Sequence, residues 1–395
     1  MRNVGTIVRG IRTPIIKEGD PLAKIVVDSL INASESDNFE FRDRDIVAVT
    51  EAVVGIAEGN YVTVDEIAAD IQKKFGVKHI GVVFPILSRN RFAVLLTAMA
   101  RAMDKITLQI SYPSDEVGND IMDKERLRLS GINPYSHVIT EKEYHEKFGD
   151  WKHIFTGVNM VDFYKELIEK ENCEAEIILA NDPTKILDYV QDVLVCDIHS
   201  KENTKRALKE KTSGKILGMD EICNDPNSGT GFNKEYGLYG SNRSTEERVK
   251  LFPHKHDKIV FEIQDMLREK TGKEIEVMIY GDGAFRDPVG QIWELADPVV
   301  SPSYTKGLEG SPNELKLKYL SDNKFANLHG EELANAMKEA IKEKDKNLKG
   351  KMETQGTTPR RYTDLIGSLC DLTSGSGDKG TPVVFIQGYF DNYAD

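Results

Sequence analysis

The sequence predicts an α/β fold, and three observations carry that expectation. Across residues 76–222, short β-rich runs alternate with helical segments through polar loops, the pattern of a parallel sheet built from βαβ units. On either side the rhythm changes: the chain opens as strand, loop, helix, strand, and after residue 222 a long amphipathic helix runs into an apolar strand. The 395 residues also exceed one ordinary core, so two or three domains are expected.

Each element follows from local pattern. "VGTIVRGIRTPII" has strand character up to Pro14. In "DPLAKIVVDSLINA", Leu22, Ile25, Val26 and Leu30 fall close to helical spacing, with Asp20 placed as N-cap and Pro21 at the first helical position. "DIVAVTEAVVGIAEG" is an apolar run, read as a strand, that ends at Gly59 and holds Glu51 and Glu58. In the middle segment "HIGVVF", "KITLQIS", "HIFTGV", "AEIILA" and "VLVCDI" read as strands. Their helical partners are "RFAVLLTAMARAM", "NMVDFYKELIEKE", "NDPTKILDYVQ" and "HSKENTKRALKEK". Sheets of this kind bind ligands at the carboxyl ends of their strands. Further on, Ile259, Val260, Ile263, Met266 and Leu267 share one face of a helix that Asp257 can cap and Gly272 can end. "EIEVMIY" is the next strand and "EELANAMKEAIKEKDKNLKGK" a charged surface helix. "TDLIGSLCDL" reads as a helix, "TSGSGDKGTP" as a loop, and "VVFIQGYF" as the last strand.

Composition narrows the partners. Hydrophobic residues make up 39% and charged residues 30%, which fits a water-soluble globular chain. The formal net charge of -13 argues against nucleic acid, whose binders usually carry a basic stripe. Cys173, Cys196, Cys223 and Cys370 are scattered without a CxxC pair, and Cys173 and Cys196 read as buried thiols of a reducing compartment. "MRNVGTIVRGIRTP" lacks the apolar core of a signal peptide, and no stretch is apolar enough to span a membrane, so a cytoplasmic location is expected.

Several stretches could carry chemistry. In "VMIYGDGAFRDPVGQ" an apolar run stops and Asp282 sits between Gly281 and Gly283. An acid at such a strand tip suits a hard cation such as magnesium or manganese. Arg286 can meet a phosphate oxygen as a planar fork, and Asp287 stands beside it. The alternative is a turn with a locally satisfied acid and a surface ion pair. "TSGSGDKGTPVVF" offers successive backbone amides and Lys379 to an anion, or else a plain hairpin connection. It lacks the helix and the Lys-Ser/Thr pair of a Walker A loop. In "GLYGSNRSTEER", Ser241 and Asn242 can bond a base or phosphate, or cap a helix. "FPILSRNRFAV" puts Arg89 and Arg91 at a helix start, facing either an anion or solvent. No GxGxxG occurs there, which disfavours an oxidoreductase with a dinucleotide cofactor. His254 and His256 lack further ligands nearby for zinc.

Taken in order, "IRTPIIKEGDPLAKIV", "RDIVAVTEAVVGIAEG", "YGLYGSNRST", "LREKTGKEIEVMIYGDGAFRDP" and "DLIGSLCDLTSGSGDKGTPVVFIQGY" resemble the coenzyme F(420)-0:gamma-glutamyl ligase family. The resemblance covers about 200 residues in two blocks, roughly 1–60 and 230–395, and the family has a shorter connection between them. It implies a ligase-like core formed by residues 1–75 and 225–395, with 76–224 as an inserted α/β domain. It also implies GTP (or ATP) as co-substrate, Mg2+ or Mn2+, L-glutamate joined to a carboxylate acceptor through an acyl phosphate, and a homodimer. Position by position, Ile11, Arg12, Thr13 and Pro14 fall on the N-terminal nucleotide loop. Asn242 falls on a nucleotide-contacting asparagine, and Asp282 on a metal-ligating aspartate. Gly375, Ser376, Gly377, Asp378 and Lys379 fall on the C-terminal nucleotide loop, which runs on to Pro382. Arg286 and Asp287 complete the candidate catalytic set.

The chain departs from the pattern at several points. Tyr239 stands where the family has a second metal-binding aspartate, Gly283 where it has threonine, and Ser376 where it has a metal-binding glutamine. Glu51 and Ala52 replace a serine–lysine pair, and Ile56 a later lysine. Asp287, Glu51, Glu58 and Asp378 are the candidates to compensate. The alternative is a catalytically diverged relative that binds a nucleotide or metabolite and acts through a partner.

Overall fold

The computed structural model describes residues 3–354, 360–374 and 377–394. Its architecture is α/β, built on three sheets. The first has five strands in the order Ile7–Ile11, Val383–Gln387, Ile46–Thr50, Glu276–Tyr280, Ser303–Tyr304. Both ends of the chain therefore meet in one sheet. The pairing of Ile46–Thr50 with Glu276–Tyr280 is parallel, and the other pairings are antiparallel.

Alternation along these strands buries both faces. Val47, Val49, Val277, Ile279 and Phe385 pack under the helices Leu22–Asp37 and His256–Thr271, against Val26, Leu30, Val260 and Ile263. Ile46, Ala48, Met278, Val384 and Ile386 face the other way, onto Ile366 and Cys370 of the helix Tyr362–Ser374.

The second sheet has six strands in the order Ile139–Thr140, Glu174–Leu179, Lys105–Ile110, His79–Val83, Val193–Val195, Ile216–Gly218. All its pairings are parallel except that of the edge strand Ile139–Thr140. The chain begins this sheet at His79–Val83, builds outward one way, then returns to the other side of the same strand. The topological switch point thus lies between His79–Val83 and Val193–Val195, where doubly wound sheets open a crevice. A third, three-stranded sheet joins Asn242–Arg243, Arg248–Lys250 and Tyr61–Thr63.

Four local expectations are corrected. The run 45–59 is a strand only as far as Thr50, whose hydroxyl caps the helix Glu51–Glu58, and Gly59 ends that helix in the left-handed region. "HIFTGV" is a turn, not a strand: Gly157 bonds back to the carbonyl of His153, and Ile154 and Phe155 are exposed. Asp20 does not cap the helix that follows it; its carboxylate accepts the N–H of Lys17, leaving Pro21 at the N-cap without a side-chain bond. Asp257 lies inside its helix, where it accepts the hydroxyl of Ser303, while Gly272 ends that helix as expected. The helix Val64–Phe75, not assigned from the pattern, opens with a capping box between Thr63 and Glu66.

Candidate active site

A cleft of about 840 Å³ opens at the carboxyl ends of Ile46–Thr50 and Glu276–Tyr280. Its size is typical of small-molecule sites. One wall carries Thr13 and Pro14 together with Gly377, Gly380 and Thr381, because the strands preceding and following these loops are neighbours. Thr13 N–H donates to the Gly380 carbonyl at 3.3 Å. Glu51 enters from the first turn of its helix, Asn242 from the three-stranded sheet, and Asn90 and Arg91 from the first strand-to-helix connection of the six-stranded sheet. The floor holds Asp282, Asp297 and Asp371.

The tip of Glu276–Tyr280 is held by acids. The Asp282 N–H donates to one oxygen of Asp297 at 2.7 Å, and the Gly283 N–H donates to Asp371 at 2.9 Å. Each glycine beside Asp282 has a neighbour too close for an unadjusted side chain. A Cβ at position 281 would lie 2.3 Å from the Asp297 carboxylate, and one at 283 would lie 2.9 Å from the Ser368 Cα.

Two cations answer these acids. Arg91 donates to Asp282 at 2.7 Å and, through its other terminal nitrogen, to Asp297 at 3.0 Å. Lys250 pairs with Glu51 at 2.9 Å, both nearly sealed from solvent. Burial pushes the Asp282 carboxyl up from its ordinary value; Asp297 adds to the rise and Arg91 opposes it. Burial also raises Glu51, against the pull of Lys250, and raises Asp371. Burial works against the charge of Arg91, yet Asp297 and Asp282 more than offset it, so the guanidinium stays protonated.

Of the residues singled out from the sequence, Thr13, Pro14, Glu51, Asn242, Gly377 and Asp282 line this one cleft. Ile11 is instead a core residue of its strand, and Arg12, Asp378 and Lys379 are exposed beside the cleft without lining it. Gly375 and Ser376 lie outside the described residues. Arg286 and Asp287 also stay out of the lining. The Arg286 Nε donates to the Gln291 carbonyl, and the Asp287 carboxylate accepts the N–H groups of Val289, Gly290 and Ile292, so both shape their own loop. Glu58 is spent in the same way on the N–H groups of His254 and Lys255. Tyr239 is buried and lines the neighbouring crevice rather than this cleft, with its hydroxyl donated to the Asp197 carbonyl at 2.8 Å. Arg91, expected to face a ligand anion or solvent, meets carboxylates of the chain itself, those of Asp282 and Asp297. Asp297, Asp371 and Lys250 carried no sequence assignment. The available hint for Lys250 was a charge set between apolar Val249 and Leu251.

As arranged, these residues do not fit a resident divalent ion. The Arg91 guanidinium spans the two carboxylates an ion would bridge. Among the described residues no group of three or more His, Cys, Asp or Glu is placed to hold one. Beside the cleft, sharing Arg91 with it, the crevice at the switch point is narrow, about 40 Å³, and mainly apolar, with Ile86, Leu95, Cys196, Ile198 and Leu238 in its walls.

Among the described residues no helix is long and apolar enough to cross a membrane. No curated protein matches the chain. A family model, that of the F420-0:Gamma-glutamyl ligase, matches residues 10–388, which takes in the middle segment as well as the two blocks around it.

Proposed function

Because the chain belongs to the F420-0:gamma-glutamyl ligase family, we propose that it joins the amine of L-glutamate to a carboxylate of a small-molecule acceptor, using GTP (or ATP) and an acyl-phosphate intermediate. The observation that supports this most is the convergence of Thr13, Pro14, Asn242, Gly377 and Asp282 on one cleft from four distant parts of the chain.

The chemistry needs activation because an ionised carboxylate resists attack by an amine. Transfer of the nucleotide's terminal phosphoryl group to an acceptor oxygen makes a carbonyl carbon with a good leaving group. The glutamate amine then forms the C–N bond, phosphate leaves with the C–O electron pair, and the amine sheds one proton. On this reading the backbone from Gly377 to Thr381 faces the phosphates, and Asn242 holds the nucleotide. Asp371, whose carboxyl burial holds above the usual range, accepts the amine's proton. Mg2+ or Mn2+ enters with the nucleotide phosphates, as magnesium commonly does, rather than as a resident ion. The reading also takes the protein as a cytoplasmic homodimer and residues 76–224 as an inserted α/β domain that helps select the acceptor.

The test is to incubate the full chain with GTP or ATP, L-glutamate and a panel of carboxylate acceptors, and to read the products by mass. The expected result is one glutamyl addition that depends on nucleotide and is lost in Asp282→Asn. No addition and no nucleotide binding across the panel overturns the proposal. A second reading, a catalytically diverged nucleotide- or metabolite-binding relative, is favoured by the position of Arg91 between Asp282 and Asp297. Nucleotide binding that is indifferent to metal and yields no product supports that reading instead.

A further inference from the structure

We propose that Arg91 is the resident cation of the cleft, competing with any divalent ion for Asp282 and Asp297. The proposal does not rest on the ligase reading, because it concerns the apo cleft and is tested with metal alone.

The geometry is that of a bridge. One terminal nitrogen of Arg91 meets Asp282 and the other meets Asp297, so a single planar charge separates two carboxylates that would repel each other. Asp297 is fully committed: its second oxygen takes the Asp282 N–H, and its side chain is 1% exposed. An ion seated between these acids needs the same oxygens that the guanidinium holds. Guanidinium and ion would both be cations at contact distance, so one excludes the other.

The loop that delivers Arg91 is fixed. The Ser88 hydroxyl accepts the N–H groups of Arg91 and Phe92, and the Tyr164 hydroxyl bonds the backbone of Ser88 on both sides. The Asp115 carboxylate accepts the Leu87 N–H. Freeing the acids therefore takes a swing of the Arg91 side chain, not a movement of its loop. Because that loop follows a strand of the six-stranded sheet, the charge state of the cleft is set from outside the sheet that bears Asp282. A group on an incoming ligand that draws the guanidinium away, such as a phosphate or a carboxylate, would open the acids to a metal.

The experiment titrates the full chain with MnCl2, without nucleotide, by calorimetry, and follows thermal unfolding with and without the ion. Wild type, Arg91→Met, Arg91→Lys and the double variant Arg91→Met/Asp297→Asn are compared. Wild type is expected to bind Mn2+ weakly and to show no Mn2+-dependent rise in Tm. Arg91→Met should bind at least about tenfold more tightly and regain thermal stability as Mn2+ is added. The double variant should lose that gain. Arg91→Lys keeps the charge but not the fork, and should fall between wild type and Arg91→Met. Arg91→Met binding no more tightly than wild type overturns the proposal, as does a gain that survives loss of the Asp297 charge. If Arg91→Met does not fold even with Mn2+ present, Arg91→Lys decides alone: affinity equal to wild type overturns it.

Discussion

Lys250 and Glu51 form an ion pair at 2.9 Å, with side chains only 8% and 6% exposed. The lysine ends a strand of the three-stranded sheet, and the glutamate begins the helix that follows Ile46–Thr50. The pair thus ties two sheets together at the rim of the cleft. Removing one partner strands a buried charge, which typically costs about 3–5 kcal/mol, whereas removing both can be nearly neutral. Lys250→Met should therefore lower the denaturant midpoint by an amount worth about 3–5 kcal/mol. Glu51→Leu/Lys250→Met should recover most of that loss. Equal destabilisation by the single and double variants would show that packing, not charge, holds this corner.

Gly281 and Gly283 make a second prediction, because each faces a different obstacle. At 281 the added methyl meets the Asp297 carboxylate, and at 283 it meets the Ser368 backbone. Overpacking of this kind costs about 1–3 kcal/mol. Gly281→Ala and Gly283→Ala should each lower stability by that amount in chemical denaturation. Gly5→Ala, where nothing lies within 4 Å of the new methyl, should stay within about 0.5 kcal/mol of wild type.

The same glycines show what local pattern can reveal. An apolar strand ending in Gly-Asp-Gly marks a turn with an acid at its tip, and Asp282 lines the cleft. What the acid meets is not local. Arg91 lies 191 residues away in sequence, and Lys250 lies 199 residues from Glu51. Neither partner choice leaves a trace in periodicity. Arg286 and Asp287 lie close to Asp282 in sequence, yet neither lines the cleft, and backbone N–H groups of their own loop claim the Asp287 carboxylate. The longer strands of the five- and six-stranded sheets were legible because alternation and run length are local, whereas Tyr61–Thr63, Asn242–Arg243 and Arg248–Lys250 of the third sheet are two or three residues long, too short to show a period. The segment 153–158 failed because its aromatic and β-branched composition resembles a strand, while the N–H of Gly157 bonding back to His153 closes a turn.

The four cysteines give a prediction about reactivity. Cys173, Cys196, Cys223 and Cys370 are all buried. Burial pushes the Cys173 thiol up to about 11 and that of Cys223 to about 12, and raises Cys196 and Cys370 well above their ordinary value. The thiolate is the reactive form, so these thiols are both inaccessible and protonated. At pH 8 the native chain should show less than about one thiol reacting with Ellman's reagent over minutes, and all four should react in denaturant. Rapid reaction of a native thiol would place it at the surface.

Asp197 supplies the pH prediction. It follows the strand Val193–Val195 at the switch point, is 1% exposed, and gives its carbonyl to Tyr239 while its carboxylate accepts the Thr204 hydroxyl. Burial raises its carboxyl to about 6. The unfolded chain therefore loses this proton near its ordinary value of 3.8, before the folded chain does. Between those two values folding loses stability as pH rises, and below the lower one the loss vanishes. The size of the shift corresponds to about 1–3 kcal/mol. Asp197→Asn cannot ionise and escapes this loss. Its stability relative to wild type should improve by about 1–3 kcal/mol between pH 4 and pH 7.5, read from denaturant unfolding at each pH. A difference that is flat across this window, or that moves the other way, would mean that the carboxylate is ionised in the folded chain at pH 4 and finds its compensation in the protein.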